Sequence, residues 1–134
     1  MIVQDITIKR VGWKVRVYHS VDYVYADEII DELIRLGCRG EDLKKASRYL
    51  WSGLPNQGLT YTRGRETLMV IGYTTSGCEY WNTLDHERLH LLQHITSETG
   101  LDPFGEEIAY ISGEFSKEVF KCAGNLLCRK MAAH

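Results

Sequence analysis

Two segments of the chain carry the pattern of paired β-strands. In "QDITIKRVGWKVRVYHSVDYV" apolar and polar residues alternate, and Gly12 interrupts the alternation. A period of two is typical of strands with one buried face, so this segment predicts a hairpin. "GLTYTRGRETLMVIGYT" predicts a second hairpin, with its turn at residues 63–65 and a short apolar second arm from Leu68 to Tyr73.

Between the hairpins the apolar residues recur every three or four positions. "ADEIIDELIRLGC" starts with acidic residues and ends at Gly37, and "GEDLKKASRYLWSG" is ended by "LPNQG". Both segments are typical of amphipathic helices. The side chains predicted to face inward are Ile29, Ile30, Leu33, Ile34 and Leu36 in the first helix, and Leu43, Ala46 and Leu50 in the second.

Two longer helices are predicted after the second hairpin. "SGCE", residues 76–79, matches a capping box, in which the serine and the glutamate satisfy each other's free backbone amides at a helix start. That helix should run to about Thr99 and stop at Gly100. Asp102 followed by Pro103 predicts the start of the last helix, because aspartate is a good N-cap and proline fits the first helical position.

Strands, two helices, a hairpin and two long helices in this order predict the α+β class. The chain has 134 residues and shows no linker, repeat or low-complexity segment. We therefore expect one domain that spans residues 1–134.

Composition narrows the classes of function. The formal net charge is −2 and the pI about 6.2, so the overall positive charge of a nucleic-acid-binding protein is missing. The locally basic "IKRVGWKVR" is more simply a solvated strand face. No apolar run approaches the length of a membrane-spanning helix, and the first residues lack the apolar core of a signal peptide. We expect a cytoplasmic protein that binds neither a membrane nor nucleic acid.

Without any C-x-x-C pair, the cysteines are expected to be reduced structural thiols; they are Cys38, Cys78, Cys122 and Cys128.

"LDHERLHLLQHI", residues 84–95, carries the candidate chemistry. With His86 at zero on a helical wheel, His90 falls at about 40°, His94 at about 80° and Glu87 at about 100°. The apolar residues of this helix occupy the opposite side of the wheel. One interpretation is an ordinary solvent-exposed polar face. The other is a metal site, since "HERLH" is an H-E-x-x-H motif that places two imidazoles one turn apart.

A zinc site of this kind needs a third protein ligand. His94 is a poor candidate because it lies about 12 Å from His86 along the axis of a straight helix. The next helix offers Glu106 in "GEEIAY", which a short turn would fold back beside the histidines. The alternative is that Glu106 and Glu107 only favour the positive end of their helix.

"HERLH" followed by "EEIAY" resembles the gluzincin arrangement, H-E-x-x-H with a glutamate on the following helix. Residues 56–115 are similar to small zincin-like proteins of phages and bacterial mobile elements. The resemblance implies a minimal zincin-like fold, in which a small antiparallel or mixed sheet packs on helices. It also implies a zinc metallopeptidase whose substrate is a peptide or protein.

The resemblance also implies residue roles. His86, His90 and Glu106 correspond to the Zn²⁺ ligands, in a register that favours Glu106 over Glu107, and Glu87 corresponds to the general base. Leu68 to Tyr73 would be the edge strand along which a peptide pairs. Tyr110 stands where many relatives have an acid that orients a ligand histidine, and its hydroxyl can assist catalysis, as can Tyr80 or His94.

Two other functions fit the same residues. A zincin-like module that binds metal or protein without turnover would keep every residue of the motif. A protein-interaction domain with a plain two-faced helix would bind no metal at all.

Overall fold

The computed structural model describes the backbone of residues 1–132 and the side chains of residues 1–124. Four strands and four α-helices make up its main elements, so the predicted α+β class is confirmed. The strands are β1 (Ile2–Ile8), β2 (Trp13–Val21), β3 (Gly58–Arg63) and β4 (Glu66–Gly72). The helices are α1 (Ala26–Arg35), α2 (Gly40–Trp51), α3 (Gly77–Thr99) and α4 (Glu106–Ala132).

The strands form one mixed sheet in the order β1-β2-β4-β3. Both predicted hairpins are confirmed, because β1 pairs with β2 and β3 pairs with β4, each antiparallel. The central strands β2 and β4 are parallel. The prediction that Leu68 to Tyr73 forms the edge strand is wrong, since β4 lies between β2 and β3 and all four residues from Leu68 to Ile71 are fully buried. The edge next to the histidine helix is β3.

Alternating residues of the sheet support two separate cores. On one face, Val15, Val17 and Met69 pack with apolar residues of α3 and α4. On the other face, Leu68 and Val70 pack with apolar residues of α1 and α2. The molecule is therefore layered, with the sheet between two pairs of helices.

The termini of α3 agree with the sequence. Ser76 is the N-cap, and its hydroxyl oxygen accepts a 3.1 Å hydrogen bond from the backbone N–H of Glu79. The helix ends at Thr99, and Gly100 adopts the left-handed conformation with φ of 74°. These two caps fix where the histidines of α3 lie along the sheet.

Two helix predictions need correction. Ile34 was predicted to face inward in α1, but it is 51% exposed. The last helix begins at Glu106, four residues after the predicted cap. Asp102 instead organises a turn, in which its carboxylate accepts a hydrogen bond from the N–H of Phe104 and its carbonyl accepts one from Gly105.

Two further sequence expectations touch the described residues. No helix among them is long and apolar enough to cross a membrane. Cys38, Cys78 and Cys122 are free thiols in the described part of the chain, and Cys128 lies outside the residues whose side chains are described.

Candidate functional site

The imidazoles of His86 and His90 meet one turn apart on the exposed side of α3. Their Nε2 atoms are 3.2 Å apart, and their rings are nearly perpendicular. Two nitrogen ligands at zinc–nitrogen distances of about 2.0–2.1 Å in a tetrahedral site are themselves about 3.3 Å apart. The separation also permits a hydrogen bond between two neutral rings, one donating to the other. The pair thus has the spacing of two ligands of one metal ion.

Glu87 follows His86 on α3, and the residue is only 4% exposed. Its Oε1 accepts a 2.8 Å hydrogen bond from the hydroxyl of Thr60 on β3. Its Oε2 lies 3.9 Å from Nε2 of His86. One carboxylate oxygen is therefore held by the edge strand, and the other lies near the imidazole of His86.

Small and polar residues of β3 make room for this carboxylate. Gly58, Thr60 and Thr62 occupy alternate positions of the strand, and contacts with α3 are described for all three. A Cβ atom at Gly58 would lie 2.6 Å from Cγ of Glu87 and 2.7 Å from the carbonyl oxygen of Val70, so a larger side chain does not fit. Our sequence reasoning missed these residues. The signal for them was the period-two run of small side chains in "GLTYTR".

An open cavity of about 260 Å³ adjoins His86 and Glu87. Apart from His86 and Glu87, side chains of α2, α3 and the loop before β3 line it with hydroxyl and amide groups. These lining residues are Tyr49, Asn56, Gln57, Asn82 and Thr83, together with Gly58. The cavity lies at the start of β3 and reaches Glu87 from there.

His94 belongs to a separate hydrogen-bonded chain. Its Nδ1 is 2.7 Å from the hydroxyl of Thr62, which is 2.7 Å from the hydroxyl of Thr67. The indole N–H of Trp13 donates to Thr67 over 2.9 Å. Burial, and secondarily the neighbouring His90, lowers the pKa of His94. His94 is therefore held neutral against the sheet at neutral pH.

The structure does not bring Glu106 to the imidazole pair. Arg88 of α3 donates a hydrogen bond to Ser116 of α4, which sets the register of these antiparallel helices. Glu106 precedes Ser116 by ten residues, so it lies about 12 Å beyond His90 along the helix axis. His86 and His90 also point about 160° away from Arg88 around α3.

Among the residues with described side chains, no group of three or more histidine, cysteine, aspartate or glutamate side chains is arranged to hold a metal ion. The two imidazoles have the spacing of metal ligands, but the third ligand implied by the resemblance is not assembled with them. Zinc binding and the role of Glu106 stay predictions.

The remaining predicted residues lie in other clusters. Glu107 is 3.3 Å from Arg10, and the Arg10 guanidinium lies over the ring of Tyr110, 4.9 Å from its centre. Tyr110 is thus placed against the β1–β2 turn and not beside the histidines. Tyr80 is fully buried, and its hydroxyl is hydrogen-bonded to His19. Of the three residues considered for assisting catalysis, only His94 lies on the histidine side of α3 and next to β3.

Searches against protein-family models, curated proteins and solved structures found no significant match to this chain. The assignment of function therefore depends on the geometry of the site.

Proposed function

We propose that this protein is a zinc-dependent peptidase in which His86 and His90 bind the metal and Glu87 is the general base. The observation that carries the proposal is the 3.2 Å separation of the two Nε2 atoms, next to a buried carboxylate. A pair of imidazoles at ligand spacing is the part of a zinc site that one helix can supply by itself.

When bound, zinc supplies a Lewis acid for the scissile carbonyl and an acidified water. Residues of the chain accept the proton of the attacking water and release it again. Thr60 occupies Oε1 of Glu87 as a hydrogen-bond donor. This leaves Oε2 to accept a proton from the attacking water and to return it to the leaving amine. Burial of Glu87 keeps this carboxylate in one position for both transfers.

The free edge of β3 supports a peptide as the substrate. In the described sheet β3 pairs only with β4, so the outer backbone groups of β3 have no strand partner. An extended peptide can pair with such an edge through backbone hydrogen bonds. The contact between Thr60 of β3 and Glu87 would place that peptide directly beside the general base.

A peptide-library cleavage assay tests this proposal, using protein prepared with zinc and with a chelator. We expect zinc-dependent cleavage that is lost in Glu87→Gln. Glu98→Gln is the matched control, because it removes the same charge from an exposed position of the same helix. Cleavage that persists in Glu87→Gln would contradict the role of Glu87 as base.

The position of Glu106 favours a second candidate, a module that binds metal or peptide without turnover. A two-imidazole site without a third protein ligand departs from the three ligands that catalytic zinc sites have. Zinc bound to the wild type without cleavage of any library peptide would select this candidate. No zinc bound at all would contradict the peptidase and the metal-binding form of the second candidate.

A further inference from the structure

A row of charged side chains crosses the sheet on the face opposite the histidine helix. In the register of the sheet, Lys14 of β2 lies opposite Glu66 of β4, and Glu66 lies opposite Arg63 of β3. Residues two positions further along β4, such as Leu68, lie on this same face and pack on α1 and α2. The row therefore faces the end of α1, away from Glu87 and the imidazoles.

This row and its neighbours line an open cavity of about 390 Å³, which we call the basic pocket. Its lining residues are Gly12, Lys14, Arg35, Leu36, Arg63, Arg65 and Glu66. Four of these are cations and one is an acid, although the whole chain carries a net charge of −2. The fold has thus concentrated positive charge at the end of the sheet where the two hairpin turns meet.

Three of the four cations have no carboxylate partner among the described residues. Arg65 donates to the backbone carbonyl of Val11 over 2.6 Å, and Arg63 donates to that of Gly37 over 3.5 Å. The ammonium group of Lys14 forms no hydrogen bond or ion pair with the described residues. Carbonyl oxygens orient a guanidinium without neutralising it, so its remaining N–H groups stay available. The fourth cation, Arg35, is paired with Glu32 at 2.6 Å and with Glu66 at 3.8 Å.

In a neighbouring cavity, a carboxylate neutralises the charge of an arginine. It shares Lys14, Arg35 and Glu66 with the basic pocket and adds Arg16. Arg16 makes two hydrogen bonds to Asp5, of 2.8 and 3.2 Å, so its charge is neutralised. Arg63 and Arg65, which have no carboxylate partner among the described residues, line the basic pocket and not this neighbouring cavity.

We propose that the basic pocket binds a small anion that carries phosphate groups. Planar guanidinium groups match phosphate oxygens with paired N–H donors, and a lysine adds a flexible point charge. The cavity lies within the size range of small-ligand sites. Its described lining contains no aromatic side chain on which a base of single-stranded nucleic acid would stack. This site is independent of the proposed peptidase activity.

Titration calorimetry with inorganic diphosphate at low ionic strength tests the basic pocket. Lys14→Gln and Arg63→Gln should each raise the Kd by about tenfold, since a charged hydrogen bond to phosphate is lost. Glu66→Gln should lower the Kd, because it removes the one acid from the lining, whose carboxylate lies 3.8 Å from the guanidinium of Arg35. Lys45→Gln is the matched control, as it removes one positive charge from an exposed site on α2 and should leave the Kd unchanged.

Lys14→Gln is the cleanest variant, because no described contact is lost with the side chain. The proposal is overturned if diphosphate gives no saturable heat with the wild type, or if Lys45→Gln weakens binding as much as Lys14→Gln does. An unchanged Kd in Glu66→Gln would also overturn it. Tighter binding of a single-stranded oligonucleotide that displaces diphosphate would replace the small anion with nucleic acid.

Discussion

The hydroxyl of Thr60 donates a 2.8 Å hydrogen bond to Oε1 of Glu87, across the contact between the edge strand and the histidine helix. Glu87 is almost completely buried, and an ionised carboxylate in such a place needs a donor. The edge strand therefore determines which oxygen of the general base remains available for chemistry.

Replacing this hydroxyl should destabilise the fold and the site together. Valine has almost the same shape as threonine but no hydroxyl, so in Thr60→Val the buried carboxylate loses its hydrogen-bond donor. We expect the free energy of unfolding to fall by about 1–3 kcal/mol. Urea denaturation measures this loss. Thr60→Ser keeps the hydroxyl and should stay close to the wild type. Equal stability of Thr60→Val and the wild type would show that water replaces the hydroxyl.

Gly58 should not tolerate a side chain. In Gly58→Ala the new methyl group collides with Cγ of Glu87 and with the backbone of Val70, so either the carboxylate or β3 must move. We expect lower thermal stability and loss of any cleavage activity. Gly113→Ala, in the interior of α4 with open space around its Cα, should stabilise by about 0.5–1 kcal/mol instead. A Gly58→Ala variant with unchanged melting temperature and activity would contradict the close contact.

Metal content should depend on the two imidazoles alone. His86→Ala and His90→Ala each remove half of the ligand pair, so elemental analysis should find no retained zinc in either variant. His94→Ala should retain zinc, because His94 is bound to Thr62.

Glu106→Gln should also retain zinc, because Glu106 is not assembled with the pair. If zinc is lost in Glu106→Gln, the three-ligand set implied by the resemblance is correct and the start of α4 reaches the histidines in solution.

The buried His19 should make the stability pH-dependent. Its Nε2 is 3.0 Å from the side-chain oxygen of Gln4, and burial lowers its pKa from the ordinary value of 6.5 to about 4. The unfolded chain therefore takes up a proton near pH 6.5 that the folded chain takes up only near pH 4. The free energy of unfolding should fall by about 3 kcal/mol as the pH drops through this window, and the contribution is fully present above it.

Urea denaturation of the wild type and of His19→Gln between pH 7 and pH 4 isolates this contribution. Glutamine does not titrate, so the variant should lose less stability as the pH falls. Parallel curves for the two proteins would show that folding does not lower the pKa of His19.

Signals that lie close together in the sequence predicted the histidine helix well. Ser76 and Gly100 mark its ends, and the motif between them sets the spacing of the imidazoles. Such signals could not predict the contact of Thr60 with Glu87. These residues are 27 positions apart and meet only because β3 packs against α3. The position of Glu106 likewise depends on the register between two helices, which the turn at Asp102 shifts.

The edge strand was misassigned for a similar reason. The parallel pairing of β2 and β4 joins residues about 50 positions apart, such as Lys14 and Glu66, and no local periodicity reports it. The continuous apolar run from Leu68 to Ile71 did contain a signal, since a strand that is apolar on both faces is typical of the interior of a sheet.

The candidate site comes from one uninterrupted part of the chain. The β3–β4 hairpin and α3 follow each other directly, and they supply Gly58, Thr60, Glu87 and both imidazoles. The parallel pairing with β2, in contrast, closes a long loop and brings in the other half of the sheet. Because short-range contacts form faster than long-range ones, the site can take shape early in folding, before the parallel pair has closed. Transfer of this one segment into another protein would also carry Gly58, Thr60, Glu87 and both imidazoles together.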